Sequence, residues 1–420
     1  MQTPHLLLAA IALALAGVAS AADEAPLGRD VDGLLAHARS HNPDWVAMRM
    51  EAEAAAERIG PAGALPDPVL RTELENVTNF GSNASPNLLP ARVGSTKYTL
   101  MQSLPWWGKR DLRRDVAVAA ADESRARATG SWVDVAARIK VAYAQYYQLS
   151  RNLQYGREVL DLIERLAGIA QVRYAGGLAP QQDAIRAQVE RTAIQSELIA
   201  METERHHAMI RLNTALARGA DAPLVPPEML RPVPPRFDVA ALTARLRDNN
   251  PELFAEDARI RGAERSRDLT YRNRYPDVTL GVAPMQVGTQ VNQWGVMVEL
   301  NIPLQQSSRR GQEREADKSV EAAQARKTAA ANRLVAELSE AVAILEGARR
   351  VEGLTATSLL PQAEVTLQAA LAGYENGKVD FASALDAQRQ IRRARQELVK
   401  AQTEQRMRLA DIERLIGDEL

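Results

Sequence analysis

The sequence predicts a mainly α-helical chain with a small β part, written as a tandem repeat. Three observations predict it. The same punctuation recurs at a spacing of about 200 residues. Two helix-favouring stretches run for about 67 residues each. Four short segments alternate apolar and polar residues, the period of a strand.

The recurrence is one of order more than of identity. Asn42-Pro43 returns as Asn250-Pro251, and Pro66-Asp67 as Pro276-Asp277. Leu104-Pro105 returns as Ile302-Pro303, and Tyr174-Ala175-Gly176-Gly177 as Tyr374-Glu375-Asn376-Gly377. Ahead of the repeats, Leu6 to Ala16 is an apolar run too short to span a membrane, followed by the small residues Ala19-Ser20-Ala21. Residues 1–21 therefore read as a secretory signal peptide, although Met1 to His5 lacks the usual Lys or Arg. The mature chain is expected in the cell envelope.

The first repeat is placed at 22–218. A helix starts at Asn42-Pro43, an N-cap followed by a first-turn proline, and ends before Pro61. A strand pair is expected at 69–76 and 96–104, then a helical hairpin at 108–217. The linker 219–236 has prolines at 223, 226, 227, 232, 234 and 235, so it is semi-rigid and not helical. The second repeat, 237–420, has a helix from Asn250-Pro251, strands at 277–287 and 291–302, and a hairpin at 308–416. The long arms, 108–174 and 308–374, read as uninterrupted helices rich in Ala, Glu, Arg, Gln and Leu. A helix of that length spans roughly 100 Å and must bury its apolar stripe against other rods, as a coiled coil does.

The strand segments sort their side chains. Trp294, Val296, Val298, Leu300 and Ile302 share one face, and Gln293, Gly295, Met297, Glu299 and Asn301 the other. Leu70, Thr72 and Leu74 alternate with Arg71, Glu73 and Glu75, and Tyr98, Leu100 and Leu104 with Lys97, Thr99 and Ser103. Membrane-barrel strands need this pattern, and soluble hairpins also show it. Four strands cannot close a barrel and an open edge cannot face lipid. Either the sheet is soluble, or three chains share one 12-stranded barrel. Val77 to Ser95, polar and rich in Asn, Ser and Pro, suits an exterior loop.

Composition excludes several functions. The net charge of -1 gives no electrostatic case for nucleic acid. The absence of cysteine excludes disulfides, thiolate metal sites, cysteine nucleophiles and an acylated N-terminal cysteine. There is no phosphate-binding loop, nucleophile elbow or metalloprotease helix, so the chain is not expected to be an enzyme or to hold a cofactor. His37 and His41 have i, i+4 spacing, but the Asn42-Pro43 helix start sets a helix boundary between them, so no metal site is expected.

Trp106 and Trp107 sit between strand and helix, where aromatic residues favour a membrane–water interface. Burial in a soluble core is the competing reading. Lys109 and Arg110, with Arg113 and Arg114, follow at a helix N-terminus, where cations oppose the helix dipole. Outer-membrane phospholipid head groups are the partner expected here, against an ordinary solvated face. Gly177 and Gly377 suit the left-handed turn that closes a helix.

The tandem Asn-Pro starts, the run Leu104-Pro105-Trp106-Trp107-Gly108-Lys109-Arg110 and the paired Tyr-x-x-Gly turns together resemble the TolC family of outer-membrane efflux proteins. The resemblance covers essentially the whole mature chain and is nearest the heavy-metal, CusC- and CzcC-like branch. It implies a homotrimer with a 12-stranded outer-membrane β-barrel and a periplasmic α-barrel of long coiled-coil helices. It also implies an exit duct docked to a periplasmic adaptor and an inner-membrane pump of the resistance-nodulation-division type, with heavy-metal cations as cargo. The turns would then form a periplasmic tip carrying Asp183, Arg186, Lys378, Asp380, Ser383 and Asp386. Asp386 matches one of the family's paired constriction aspartates, and Ser383 replaces its acidic partner. Salt links from Asp386 to Lys378 or Arg186 are expected to hold the aperture closed. The competing readings are a soluble periplasmic coiled-coil adaptor and a drug or polypeptide duct of the same fold.

Overall fold

A computed structural model describes residues 27–77 and 88–420. The signal-peptide reading of residues 1–21 and the middle of the predicted exterior loop lie outside the described residues. The chain runs α1 (Val31–His41), α2 (Pro43–Glu57), α3 (Ile59–Gly63), β1 (Val69–Glu75), β2 (Ser95–Leu104), α4 (Lys109–Ala175) and α5 (Gln181–Ala215). The second half runs α6 (Val239–Asn249), α7 (Pro251–Arg272), β3 (Asp277–Val287), β4 (Gln290–Asn301), α8 (Gln306–Leu354), α9 (Leu360–Glu375) and α10 (Phe381–Ile416). Each half thus repeats short helices, a strand pair and a long helical hairpin.

Two expectations are corrected. Each Asn-Pro start is preceded by a further helix, α1 or α6, capped by Asp30 through the Gly33 N–H at 2.7 Å or by Asp238 through the Ala240 N–H at 2.9 Å. His37 and His41 consequently lie in one helix, α1, with no boundary between them. The first helix ends at Glu57, before Pro61 as expected, and after a break at Arg58 that proline lies in the separate short helix α3. The second long arm is not one helix. A π-helical turn, Thr355–Leu359, separates α8 from α9, immediately ahead of Pro361. Proline lacks the N–H that an α-helix requires, and the wider turn re-registers the backbone around it.

The repeats are not the compact units. One unit comprises the chain up to Asn42 with Ala136–Val233 and Ile344–Ala410. The other comprises Pro43–Val135, Pro234–Ala343 and Asp411–Leu420. The repeat is nevertheless legible inside each. In the first unit the Asn42 amide donates to the Ala215 carbonyl at 2.9 Å, and in the second Asn250 donates to Leu415 at 2.8 Å. Each Asn thereby ties the start of its repeat to the last turn of that repeat's closing helix. Asn250 also caps α7, accepting from the Glu252 N–H at 2.9 Å.

The second unit holds an antiparallel four-stranded sheet in the order β1-β2-β3-β4. Its register brings Leu70, Leu100, Val282 and Val296 into one row across all four strands. All four are exposed, Val296 at 83%. The first unit is held by an apolar cluster of Ile163, Leu166, Ala170, Ala187, Ile194, Tyr374, Phe381 and Ala384. It joins the α4–α5 hairpin to α9 and α10.

Candidate functional site: a membrane-facing sheet and a charged hairpin tip

The sheet separates two chemistries by strand parity. Even-numbered positions give the apolar row and its neighbours Leu280, Trp294, Val298 and Leu300, all exposed. Odd-numbered positions are mostly polar. Glu73 pairs across the strands with Lys97 at 3.8 Å and lies 3.8 Å from Arg71, and the Ser95 hydroxyl donates to Glu75 at 2.9 Å. Gln102 departs from parity and donates to the Pro66 carbonyl at 2.8 Å. A continuous exposed apolar face over four strands is what a bilayer solvates, and the polar face is what a water-filled lumen requires.

Below the sheet, the Trp-Trp-Gly-Lys-Arg junction distributes its residues unequally. Trp107 is 77% exposed and reaches outward, whereas Trp106 is half-buried and stacks on Tyr275 at 5.3 Å between ring centroids. Lys109 does not face head groups. It is 3% exposed, its Nζ donates to Asp277 Oδ1 at 2.8 Å and to the Tyr275 carbonyl at 2.9 Å, and the Trp106 N–H reaches the same carboxylate at 2.8 Å. Arg110 Nε donates to the Gly63 carbonyl at 2.9 Å, and Arg309 of the second repeat donates to the Asn273 carbonyl. Gly63 ends α3 and Asn273 caps the C-terminus of α7. Cations that oppose the dipole of their own helix are thus favoured by the carbonyl end of the preceding one. The same junction leaves a mainly apolar hollow of about 540 Å³ lined by Leu65, Leu104, Trp106, Trp107, Val278 and Leu280, with Arg110 and Asp111 also in its wall.

The two hairpin turns of the first unit close identically. Gly177 and Gly377 have φ of +69° and +71°, and their N–H groups donate at 3.0 Å to Tyr174 and Tyr374. The next N–H, of Leu178 or Lys378, reaches back to Arg173 or Gly373 at 2.8 Å. This six-to-one bond with a left-handed residue satisfies carbonyls that the helix end leaves open. Arg173 locks the turns together by donating to the carbonyls of Tyr374 and Glu375 and lying over the Tyr374 ring.

Of the predicted tip residues, Asp380 caps α10. Its Oδ1 accepts from the Ser383 N–H at 2.9 Å, and Ser383, by side chain and then backbone, with Arg186 nearby, holds the carboxyl below its usual range. Asp183 lies near Tyr374, whose hydroxyl is pushed up by burial and then by that carboxylate. Asp386 is 70% exposed. Its basic neighbour is neither Lys378 nor Arg186 but Arg389, 3.8 Å away and one turn along α10. Arg389 is also held by Glu190 at 2.7 Å, so the acidic residue meets a cation already fixed to α5. Sequence reasoning missed Arg389, although its i, i+3 spacing from Asp386 was a visible signal. Asp386 heads a stripe of exposed polar residues on α10: Asp386, Gln390, Arg393, Glu397 and Lys400. Among the described residues no group of three or more His, Cys, Asp or Glu could hold a metal ion.

A sheet with a lipid-compatible face, joined to long helical hairpins, defines an outer-membrane channel protein. The chain belongs to the outer membrane efflux protein family, whose model matches residues 34–218 and 242–418. It is similar to the cobalt-zinc-cadmium resistance protein CzcC of Cupriavidus metallidurans, with 23% identity over 377 residues, covering 87% of this chain and 84% of that one. Its fold is similar to that of the outer-membrane channel OprN, with a TM-score of 0.79, 17% identity and coverage of 92% and 89% of the two chains. CusC, described in connection with transmembrane channel formation, gives a TM-score of 0.79 with 14% identity and 92% coverage of each chain. Family and fold are those of transport channels, and the adaptor reading is set aside.

Proposed function

We propose that three copies of this chain form the exit duct of a tripartite efflux system that exports divalent heavy-metal cations. In this reading the four strands of each copy complete a 12-stranded barrel. A periplasmic adaptor engages the hairpin turns, and an inner-membrane pump of the resistance-nodulation-division type supplies the energy. The observation that carries the cargo is the similarity to a cobalt-zinc-cadmium resistance protein over 87% of the chain. The tip agrees with a cation path. Three symmetry-related Asp386 carboxylates at a constriction attract cations and repel one another, and Arg389 limits how far each can swing. Asp183, Arg186, Lys378, Asp380 and Ser383 shape the same mouth, while Trp107 anchors the periplasmic edge of the barrel in lipid.

A strain lacking the gene is expected to become sensitive to cobalt, zinc or cadmium and to recover with the wild-type copy. Unchanged metal tolerance with altered drug tolerance would assign a different cargo. In planar bilayers, Asp386→Ala is expected to weaken block by divalent cations. An unaltered conductance and block would remove Asp386 from the aperture.

A further inference from the structure

The pair His37 and His41 has no part in the duct described above. Both lie in the last turns of α1, with their rings stacked 4.3 Å apart and 12° from parallel. His37 is half-buried and His41 is exposed. The hydrogen bonds around His41 fix its tautomer. Its Nδ1 lies 3.0 Å from the His37 carbonyl, which can only accept, and 2.7 Å from the Ser40 hydroxyl. Ser40 is positioned to give its own proton to the His37 carbonyl at 2.9 Å. Nδ1 of His41 therefore carries the hydrogen, and Nε2 carries the lone pair. Metal-bound imidazoles are oriented in this way, with the ring nitrogen away from the ion donating to a carbonyl. The position adds a second favourable factor, because the C-terminal end of a helix is its negative end and favours a cation.

We infer that His37 and His41 form a two-imidazole site for a borderline divalent cation such as Zn²⁺, Co²⁺ or Cu²⁺. Imidazole suits these ions, whereas Mg²⁺ and Ca²⁺ prefer oxygen. An ion lies in the plane of each imidazole that binds it, so the stacked rings must tilt toward each other. Exposed His41 has the freedom to do so. Water completes the coordination, which makes the site exchangeable and distinct from a structural zinc centre. The site stands whether or not the same ions are the cargo of the duct.

The test is titration of the detergent-solubilised protein with Cu²⁺, read by electron paramagnetic resonance, and with Zn²⁺, read by calorimetry. The wild-type spectrum is expected to show coupling to two imidazole nitrogens. Affinity for Zn²⁺ should fall by at least roughly tenfold in His41→Ala and in His37→Ala. A rearranged variant, Arg39→His with His41→Ala, keeps the histidine count but moves the second ring off the face of the first. It should behave like the single variants. Mg²⁺ should not compete. Equal Zn²⁺ binding by wild type and His41→Ala, or retained binding by the rearranged variant, overturns the site. His41 is exposed and contributes to no core, so each variant is checked for unchanged melting and assembly before comparison.

Discussion

Lys109 shows how a residue's role is settled by partners that sequence spacing does not reveal. A lysine at a helix start, two residues after a tryptophan pair, reads as a head-group ligand. The fold brings Tyr275 and Asp277, more than 160 positions away, onto its ammonium and buries it. Removing one member of such a pair leaves a charge without compensation, and Asp277 is one-third exposed. Lys109→Met should therefore cost about 2–3 kcal/mol, below the full cost for a wholly buried pair. Lys109→Met with Asp277→Asn should recover part of the loss. Thermal melting of these two variants and of Asp277→Asn alone checks this, and additive losses would mean the two residues do not interact. Tyr143 offers a pH test in the first unit. Its hydroxyl donates to the Arg29 carbonyl at 2.9 Å, and burial, then Asp30 and Asp32, push its pKa up to about 12. The unfolded chain ionises near pH 10 and the native protein near 12, so between those values the unfolded state holds fewer protons. Stability from this residue is complete below pH 10 and falls by about 2–3 kcal/mol as pH rises to 12. Tyr143→Phe should flatten that part of the alkaline melting curve.

At the scale of elements, the sequence was most legible where a residue type is demanded by backbone geometry. Both left-handed hairpin glycines, the Asn-Pro starts and the strand parity are local, and each agrees with the structure. Two kinds of element escaped. Helices α1 and α6 are each 11 residues, and their signals are aspartate caps without a proline following. The π-helical turn depends on how Pro361 is accommodated, a matter of backbone register that periodicity does not encode. The repeat also exposes one site where the local rule is broken. The closing helix of the second repeat ends on Gly417 at φ +73°, and the first ends 200 positions earlier on Ala217 at φ +57°. Alanine in that region is strained, and Ala217 is exposed, so nothing packed around its methyl offsets the strain. Ala217→Gly is expected to stabilise by about 1 kcal/mol despite the added freedom of the unfolded chain. The reverse change at Gly417 should destabilise more strongly. A β-carbon there would stand 2.7 Å from the Asn249 carbonyl oxygen, a backbone atom that cannot move aside. Paired chemical melts check the two signs, and a destabilised Ala217→Gly variant would show that the left-handed turn carries no strain.

For the whole molecule, the decisive feature is a sheet whose apolar face is exposed and whose outer strands, β1 and β4, pair with no further strand among the described residues. Strand β4 exposes Trp294, Val296, Val298 and Leu300, and β1 exposes Val69 and Leu70. Strand edges left with unpaired backbone groups are sites of association, and in a bilayer they must be paired. Copies that pair β1 of one chain with β4 of the next would satisfy every edge and turn the even-numbered face toward lipid together. A single cation distinguishes this arrangement from a sheet in water. Val296 sits in the row shared by Leu70, Leu100 and Val282, away from the ends of its strand. On the lipid face of a barrel a lysine near mid-membrane costs about 2–4 kcal/mol, and in the three-copy assembly proposed above that cost is repeated three times. Val296→Lys should therefore lower the amount of assembled channel recovered from outer membranes. Gln293→Lys, on the opposite face of the same strand, should assemble normally and alter only conductance, since that side faces water. Recovery measured by heat-modifiable migration, with conductance for the variant that assembles, separates the outcomes. Equal recovery of the two variants would mean that the even-numbered face does not meet lipid.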